Sequence, residues 1–84
     1  MSNFDASPMK TVAKALLVLK QFKYATGELG VTDISKAIEV DKVIVHRLLK
    51  TLAMDEFVVQ DPSTRKYRLG PGLIALASQN LRHV

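Results

Sequence analysis

Asp41-Lys-Val-Ile-Val-His-Arg-Leu-Leu-Lys-Thr-Leu52 carries two different faces at one helical period. Val45, Leu48, Leu49 and Leu52 fall at i, i+3, i+4 and i+7, which makes one apolar stripe of an α-helix. Val43, His46, Arg47 and Lys50 repeat that spacing on the opposite side. The pattern predicts a helix over residues 42–55 with Asp41 as its N-cap. One face can bury itself while the other turns cations and one small apolar group outward. A shorter helix is expected just upstream over residues 33–39, with Thr32 as N-cap and Asp33 favourably placed in the first turn of the helix dipole. Ile34, Ala37 and Ile38 would face inward, and Glu39-Val40-Asp41 would make the turn.

Working outward toward the N-terminus, residues 9–25 read as a first helix. Val12, Leu16, Leu19 and Lys23 share one stripe, with Ala15 and Phe22 beside it. Lys10, Lys14, Leu17 and Gln21 lie on the other side, and Leu17 is the odd residue there. Ser7-Pro8 is expected to cap this helix and start its first turn. Thr26-Gly27 would end it, with Gly27 as a left-handed cap. Residues 28–31 form a short extended piece, and residues 1–8 a polar arm without periodicity.

Toward the C-terminus, Phe57-Val-Val-Gln60 and Lys66-Tyr-Arg-Leu69 are short β-prone runs separated by the turn cluster Asp61-Pro-Ser-Thr-Arg65. This is a β-hairpin with Phe57 and Val59 on one face of the first strand, Tyr67 and Leu69 inward on the second, and a basic tip of Arg65, Lys66 and Arg68. Gly70-Pro-Gly72 breaks the chain before a last helix over residues 73–83. Leu73, Leu76 and Ala77 can pack on the domain. Ile74 and Leu81, seven residues apart, form a second apolar stripe that one small core does not use, so this helix is expected to touch another subunit or domain.

Eighty-four residues allow one domain with a modest core. With no cysteine there is neither a disulfide framework nor a thiolate metal site. No basic n-region precedes a long apolar h-region, so no signal peptide is read. The longest apolar run, residues 15–19, is far short of the roughly 20 residues of a membrane span. Twelve basic residues against eight acidic ones leave a net charge of +4. That excess suits a polyanionic partner if the cations collect on one face. No nucleophile–base pair, Gly-rich phosphate loop or metal-ligand cluster is present, and the two histidines, His46 and His83, sit on different elements. The chain is therefore not read as an enzyme, and no cofactor is expected.

Helix, short strand, helix, helix, two-stranded hairpin is the order of a winged helix-turn-helix. The expected fold is mainly α with a small β-hairpin: a three-helix core and a two-stranded wing over residues 9–69, then a linker helix over residues 70–84. In such a fold the third helix enters the DNA major groove and the wing lies on the flanking backbone. Lys10 and Lys14, then Lys42, Arg47 and Lys50, then Arg65, Lys66 and Arg68 supply cations on three separate elements. Arg47 is the expected base-edge reader, because bidentate Arg to guanine is the commonest specific contact. His46 is a phosphate or base candidate, the lysines and wing arginines are phosphate candidates, and Val43 is suited to thymine methyls. Tyr67 alternates inward, and Ile44 at the edge of the stripe is expected to extend the core. The rival reading is a winged helix used for protein contact, insensitive to salt where DNA binding is steeply salt-dependent.

Val12-Ala-Lys-Ala-Leu16, Val31-Thr-Asp-Ile34, Val45-His-Arg-Leu-Leu-Lys-Thr-Leu52 and Lys66-Tyr-Arg-Leu-Gly-Pro-Gly-Leu73 together resemble the DNA-binding domain of the IclR family of bacterial transcriptional regulators. The resemblance implies sequence-specific binding of double-stranded DNA in the cytoplasm, by a homodimer or higher oligomer on a palindromic operator. It also implies a small-molecule effector that acts through a larger domain not contained in these residues. Leu17, Ile74 and Leu81 are the expected dimer or linker contacts. This sequence departs from the family's pattern twice. Glu39 stands where a small turn-former is usual, which suggests a different turn type, and Val43-Ile44 stand where Ser-Thr is usual.

Overall fold

A computed structural model describes residues 7–81. Its elements run α1 (Lys10–Gln21), α2 (Val31–Ile38), α3 (Lys42–Met54), β1 (Val58–Gln60), β2 (Tyr67–Leu69) and α4 (Pro71–Leu81). This is the three-helix core, two-stranded wing and trailing helix expected from the sequence. His83 and residues 1–6 of the N-terminal arm lie outside the described residues.

α3 is the best-anticipated element. Asp41 caps it, its carboxylate accepting the Val43 N–H at 2.8 Å. Val45, Leu48 and Leu49 are buried and Leu52 is half-buried. α2 starts two residues earlier than expected. Gly30, not Thr32, is its N-cap, and the Gly30 N–H donates to the Asp33 carboxylate at 2.9 Å. An acid at that position satisfies a free amide and meets the positive end of the helix dipole. Ile34 is buried and Ile38 half-buried, but Ala37 is exposed rather than inward.

α1 is shorter than expected and turned differently. Met9, rather than Ser7, takes the N-cap position, and it makes no side-chain cap bond. The last turn tightens through i→i−3 bonds from Phe22, Lys23 and Tyr24, ending the helix without a left-handed glycine. Gly27 accordingly has no positive φ. The buried residues are Val18 and Phe22, with Ala15 and Leu19 packed alongside, while Val12 and Leu16 are half exposed. The stripe that begins with Val12 and Leu16 is thus split, its first two residues facing outward and Leu19 packing on the core. α2 and α3 both pack on the Val18 side of α1, and a helix with two apolar sectors does not announce which one its neighbours will choose.

The hairpin pairs antiparallel as Val58↔Leu69, Val59↔Arg68 and Gln60↔Tyr67. The alternation of β1 is one residue out from the expectation. Val58 is buried, whereas Phe57 and Val59 are half-buried, and on β2 Leu69 is exposed while Tyr67 is fully buried. A one-residue offset exchanges the two faces of a strand. Leu29 adds a third, single-residue rung, its N–H donating to the Tyr67 carbonyl and its carbonyl accepting the Tyr67 N–H. That rung ties the α1–α2 segment to the wing. Val58 and Tyr67 anchor the wing to the core at roughly 1.5–3 kcal/mol per buried side chain. The exposed Arg68–Glu28 ion pair, 3.6 Å, supplies roughly 0–1 kcal/mol, so burial dominates.

Gly70-Pro71-Gly72 does not interrupt the chain before α4; Pro71 begins the helix and Gly72 lies within it. The Gly70 N–H donates to the Phe57 carbonyl at 2.8 Å, and the Gly72 N–H to Glu56 at 3.0 Å. Beyond this anchor α4 leaves the domain. Leu73 is half-buried, but Leu76 and Ala77 are exposed, contrary to the packing expected of them, and no residue of α4 is buried.

Candidate nucleic-acid interface

α3 presents Lys42, Val43, Ile44, His46, Arg47, Lys50 and Thr51 as exposed residues. Val43 and Lys50 stand on the crest, opposite the buried Val45 and Leu49 and the half-buried Leu52. The two flanks of this crest differ. Toward α1, Ile44, Arg47, Leu48 and Thr51 meet Thr11 and Lys14 around an open groove of about 300 Å³. Toward the wing, His46 faces Gly30, Val31, Thr32 and Asp33 at the start of α2, with Gln60, Thr64, Arg65 and Lys66 of the wing around a groove of about 380 Å³. Of the expected site residues, the fold thus brings Lys14 to Arg47, and His46 to Arg65 and Lys66. Lys10 lies one turn before Lys14, exposed on the same side of α1.

Arg68 is placed differently from Arg65 and Lys66. It pairs with Glu28, which also accepts a hydrogen bond from the Thr64 hydroxyl at 3.2 Å. Ile44 is another departure. It is exposed and lines the α1 groove instead of extending the core.

The wing tip is a built turn. The Asp61 carboxylate accepts the Ser63 hydroxyl and N–H, both at 2.8 Å, and the Thr64 N–H at 3.3 Å. Those bonds, the Ser63 hydroxyl first, hold the Asp61 carboxyl below its ordinary value, with a smaller contribution from the Arg68 charge. Arg65 takes a left-handed φ of 67°, and its carbonyl accepts from the Gln60 side chain at 2.9 Å. Asp61 therefore sets the backbone from which Arg65 and Lys66 project. The Tyr67 ring fills the base of the wing, and burial raises the phenol above its ordinary value. Its hydroxyl has no hydrogen-bond partner among the described residues.

Sequence reasoning missed the hydroxyl residues around the two grooves, Thr11 and Thr51 on one side, Thr32 and Thr64 on the other. Part of this was readable. Thr11 and Lys14 are at i, i+3, and Ile44, Arg47, Leu48 and Thr51 are at i, i+3, i+4, i+7. Which stripe faces which neighbour was not readable.

Residues 11–62 match the IclR helix-turn-helix domain. The chain is 41% identical over 66 residues to the HTH-type transcriptional regulator XynR of Escherichia coli (strain K12), covering 79% of this chain and 26% of XynR. It is 29% identical over 76 residues to a glycerol operon regulatory protein of Streptomyces griseus, covering 90% and 30%. Among solved structures, an IclR transcriptional regulator from Alicyclobacillus acidocaldarius superposes with a TM-score of 0.81 at 35% identity, over 88% of this chain and 30% of that one. An IclR family regulator from Brucella abortus gives 0.83 at 28%, over 95% and 31%. The chain thus spans less than a third of the length of these relatives.

Proposed function

The chain belongs to the IclR helix-turn-helix family, and from that premise we propose that it is the DNA-reading part of a bacterial transcriptional regulator, binding double-stranded DNA sequence-specifically. Residues 9–69 form the DNA-binding domain, and α4 (Pro71–Leu81) is the described part of the linker helix. α3 occupies the major groove, with Val43, His46, Arg47 and Lys50 outward and Lys42 at its start. Lys10 and Lys14 on α1, and Arg65 and Lys66 on the wing, meet flanking phosphates. Arg68 joins them at the cost of its Glu28 pair. The single observation that carries this reading is the convergence of both cationic grooves on the exposed face of one helix. No helix among the described residues is long and apolar enough to cross a membrane, which fits a cytoplasmic regulator.

The relatives are transcriptional regulators, and catalysis has no place in this proposal. Effector sensing is assigned to the length of the family's regulators that this chain does not match. Two chains pair on a palindromic operator through exposed apolar side chains, Leu17 of α1 with Ile74 and Leu81 of α4. The deciding experiment is fluorescence anisotropy with a labelled randomised duplex across a salt series. Each phosphate contact adds about 0.9 to the slope of log affinity against log salt, so a slope of several units is expected. No binding at low salt, by the chain alone or tethered as a dimer, would leave a protein-contact module in its place.

A further inference from the structure

The geometry points to a phosphodiester seat in the groove between α1 and α3, in which Arg47 clamps the backbone together with Lys14 and Thr11 and does not read bases. This rests on the DNA-binding reading above and divides the labour within it. Ile44, Arg47, Leu48 and Thr51 form one stripe of α3, and that stripe is turned toward α1. At roughly 100° per residue Ile44, Leu48 and Thr51 are rotated off the crest where Val43 and Lys50 stand, and Arg47 lies at the edge between crest and groove.

The major groove admits one helix. With α3 inside it, α1 stays outside, and Lys14 can meet only the sugar–phosphate strand. Arg47 shares a groove with Lys14 and so faces the same strand.

The lining has the chemistry of that ligand. Two cations and the Thr11 hydroxyl offer donors, and no carboxylate lines the groove. A phosphodiester offers acceptors only, and charge-assisted bonds to it are the strong ones. Two like charges on one small groove repel each other until an anion lies between them. Ile44 and Leu48 give the groove an apolar floor, suited to deoxyribose carbons. The Thr51 hydroxyl donates to the Arg47 carbonyl at 2.9 Å, so Thr51 contributes shape and not a donor. The groove on the other flank differs, since Asp33 lines it. Base reading then falls to the crest, where Val43 offers an apolar surface to thymine methyls.

The test compares a randomised duplex with a duplex enriched from that pool by the wild-type chain, each across a salt series. Arg47→Ala and Lys14→Ala are expected to weaken both duplexes by the same factor and to lower each salt slope by about 0.9. Thr11→Val, which keeps the shape and removes the donor, should weaken both about fivefold with the slope unchanged. Arg47→Lys should keep the slope and the selectivity, because a phosphate accepts a point charge where a base edge demands the guanidinium fork. Val43→Ser should alter the preference between duplexes and leave the slope alone. Selectivity lost in Arg47→Lys, with Arg47→Ala hurting the enriched duplex more than the randomised one, would overturn the seat and make Arg47 a base reader. Wild-type protein that binds neither duplex at low salt would remove the DNA reading itself, and the seat with it.

Discussion

Glu39 ends α2 at φ 55° and ψ 46°, in the left-handed region where a glycine is the usual occupant. The departure from the family's small turn residue suggested another kind of turn; the backbone here takes the left-handed conformation that a glycine adopts freely, and strains the residue. What holds it is local. Ser35 accepts the Val40 N–H at 3.3 Å on its carbonyl and donates its hydroxyl to the Val40 carbonyl at 2.6 Å. A side chain in this region costs roughly 1–2 kcal/mol, and the extra freedom of glycine in the unfolded chain takes back roughly half of that. Glu39→Gly should therefore raise the stability by about 0.5–1 kcal/mol, seen as a higher urea midpoint with an unchanged m-value. Glu39→Ala should not. An equal gain from both would show that the Glu39 charge, and not its backbone angle, is what destabilises the turn.

At the scale of elements, the junction from β2 into α4 is tightly constrained backbone. A Cβ built on Gly70 would lie 2.3 Å from the Glu56 carbonyl oxygen, and one on Gly72 would lie 2.2 Å from that of Asp55. Both neighbours are backbone, so neither can swing aside. Glu56 is itself left-handed, at φ 59°. The glycines permit this close approach, and their N–H groups then donate to the Phe57 and Glu56 carbonyls in the segment that follows α3. Gly70→Ala should cost about 1–3 kcal/mol in urea unfolding, the range for forced overpacking. A change below about 0.5 kcal/mol would mean that α4 simply lifts away, which loss of its helical signal in amide exchange would reveal. Gly-Pro-Gly was readable as a boundary, because proline and glycine punctuate chains. That it docks the next helix was not readable, since the partner carbonyls lie more than ten residues back in sequence.

For the whole molecule, the unburied apolar surface is the quantity that matters. Met9, Val12 and Leu16 are exposed at 74%, 52% and 50% along one side of α1, and Ile74 and Leu81 at 58% and 67% on α4. A domain this small has few apolar residues to spare, so leaving these in water points to a partner. Met9, Val12 and Leu16 are more exposed than Leu17 at 41%, and they extend the apolar surface of the proposed pairing along α1. Val12→Glu with Leu16→Glu should leave the helical signal intact and abolish cooperative binding of two chains to a palindromic duplex. Undiminished cooperativity in titrations would remove α1 from the interface.

How much of this was legible in the sequence follows from the range of the forces involved. Local periodicity and capping placed α3 to the residue at its start, because Asp41 and the Val45–Leu49 stripe act within two turns of chain. The order of elements, with the basic residues spread over α1, α3 and the wing, was enough for the winged helix. Orientation was another matter. α1 carries apolar residues around most of its circumference, so only contact with α2 and α3 selected Val18 over Val12. The run leading into β1 is apolar at three successive positions, Phe57, Val58 and Val59, so alternation alone could not choose the strand's inner face, and the pairing with β2 chose it. The two grooves beside α3 bring together residues more than thirty positions apart, Lys14 with Arg47 on one flank and Thr32 with Arg65 on the other. No pattern along the chain encodes such a meeting, because it depends on the angles at which packed helices cross.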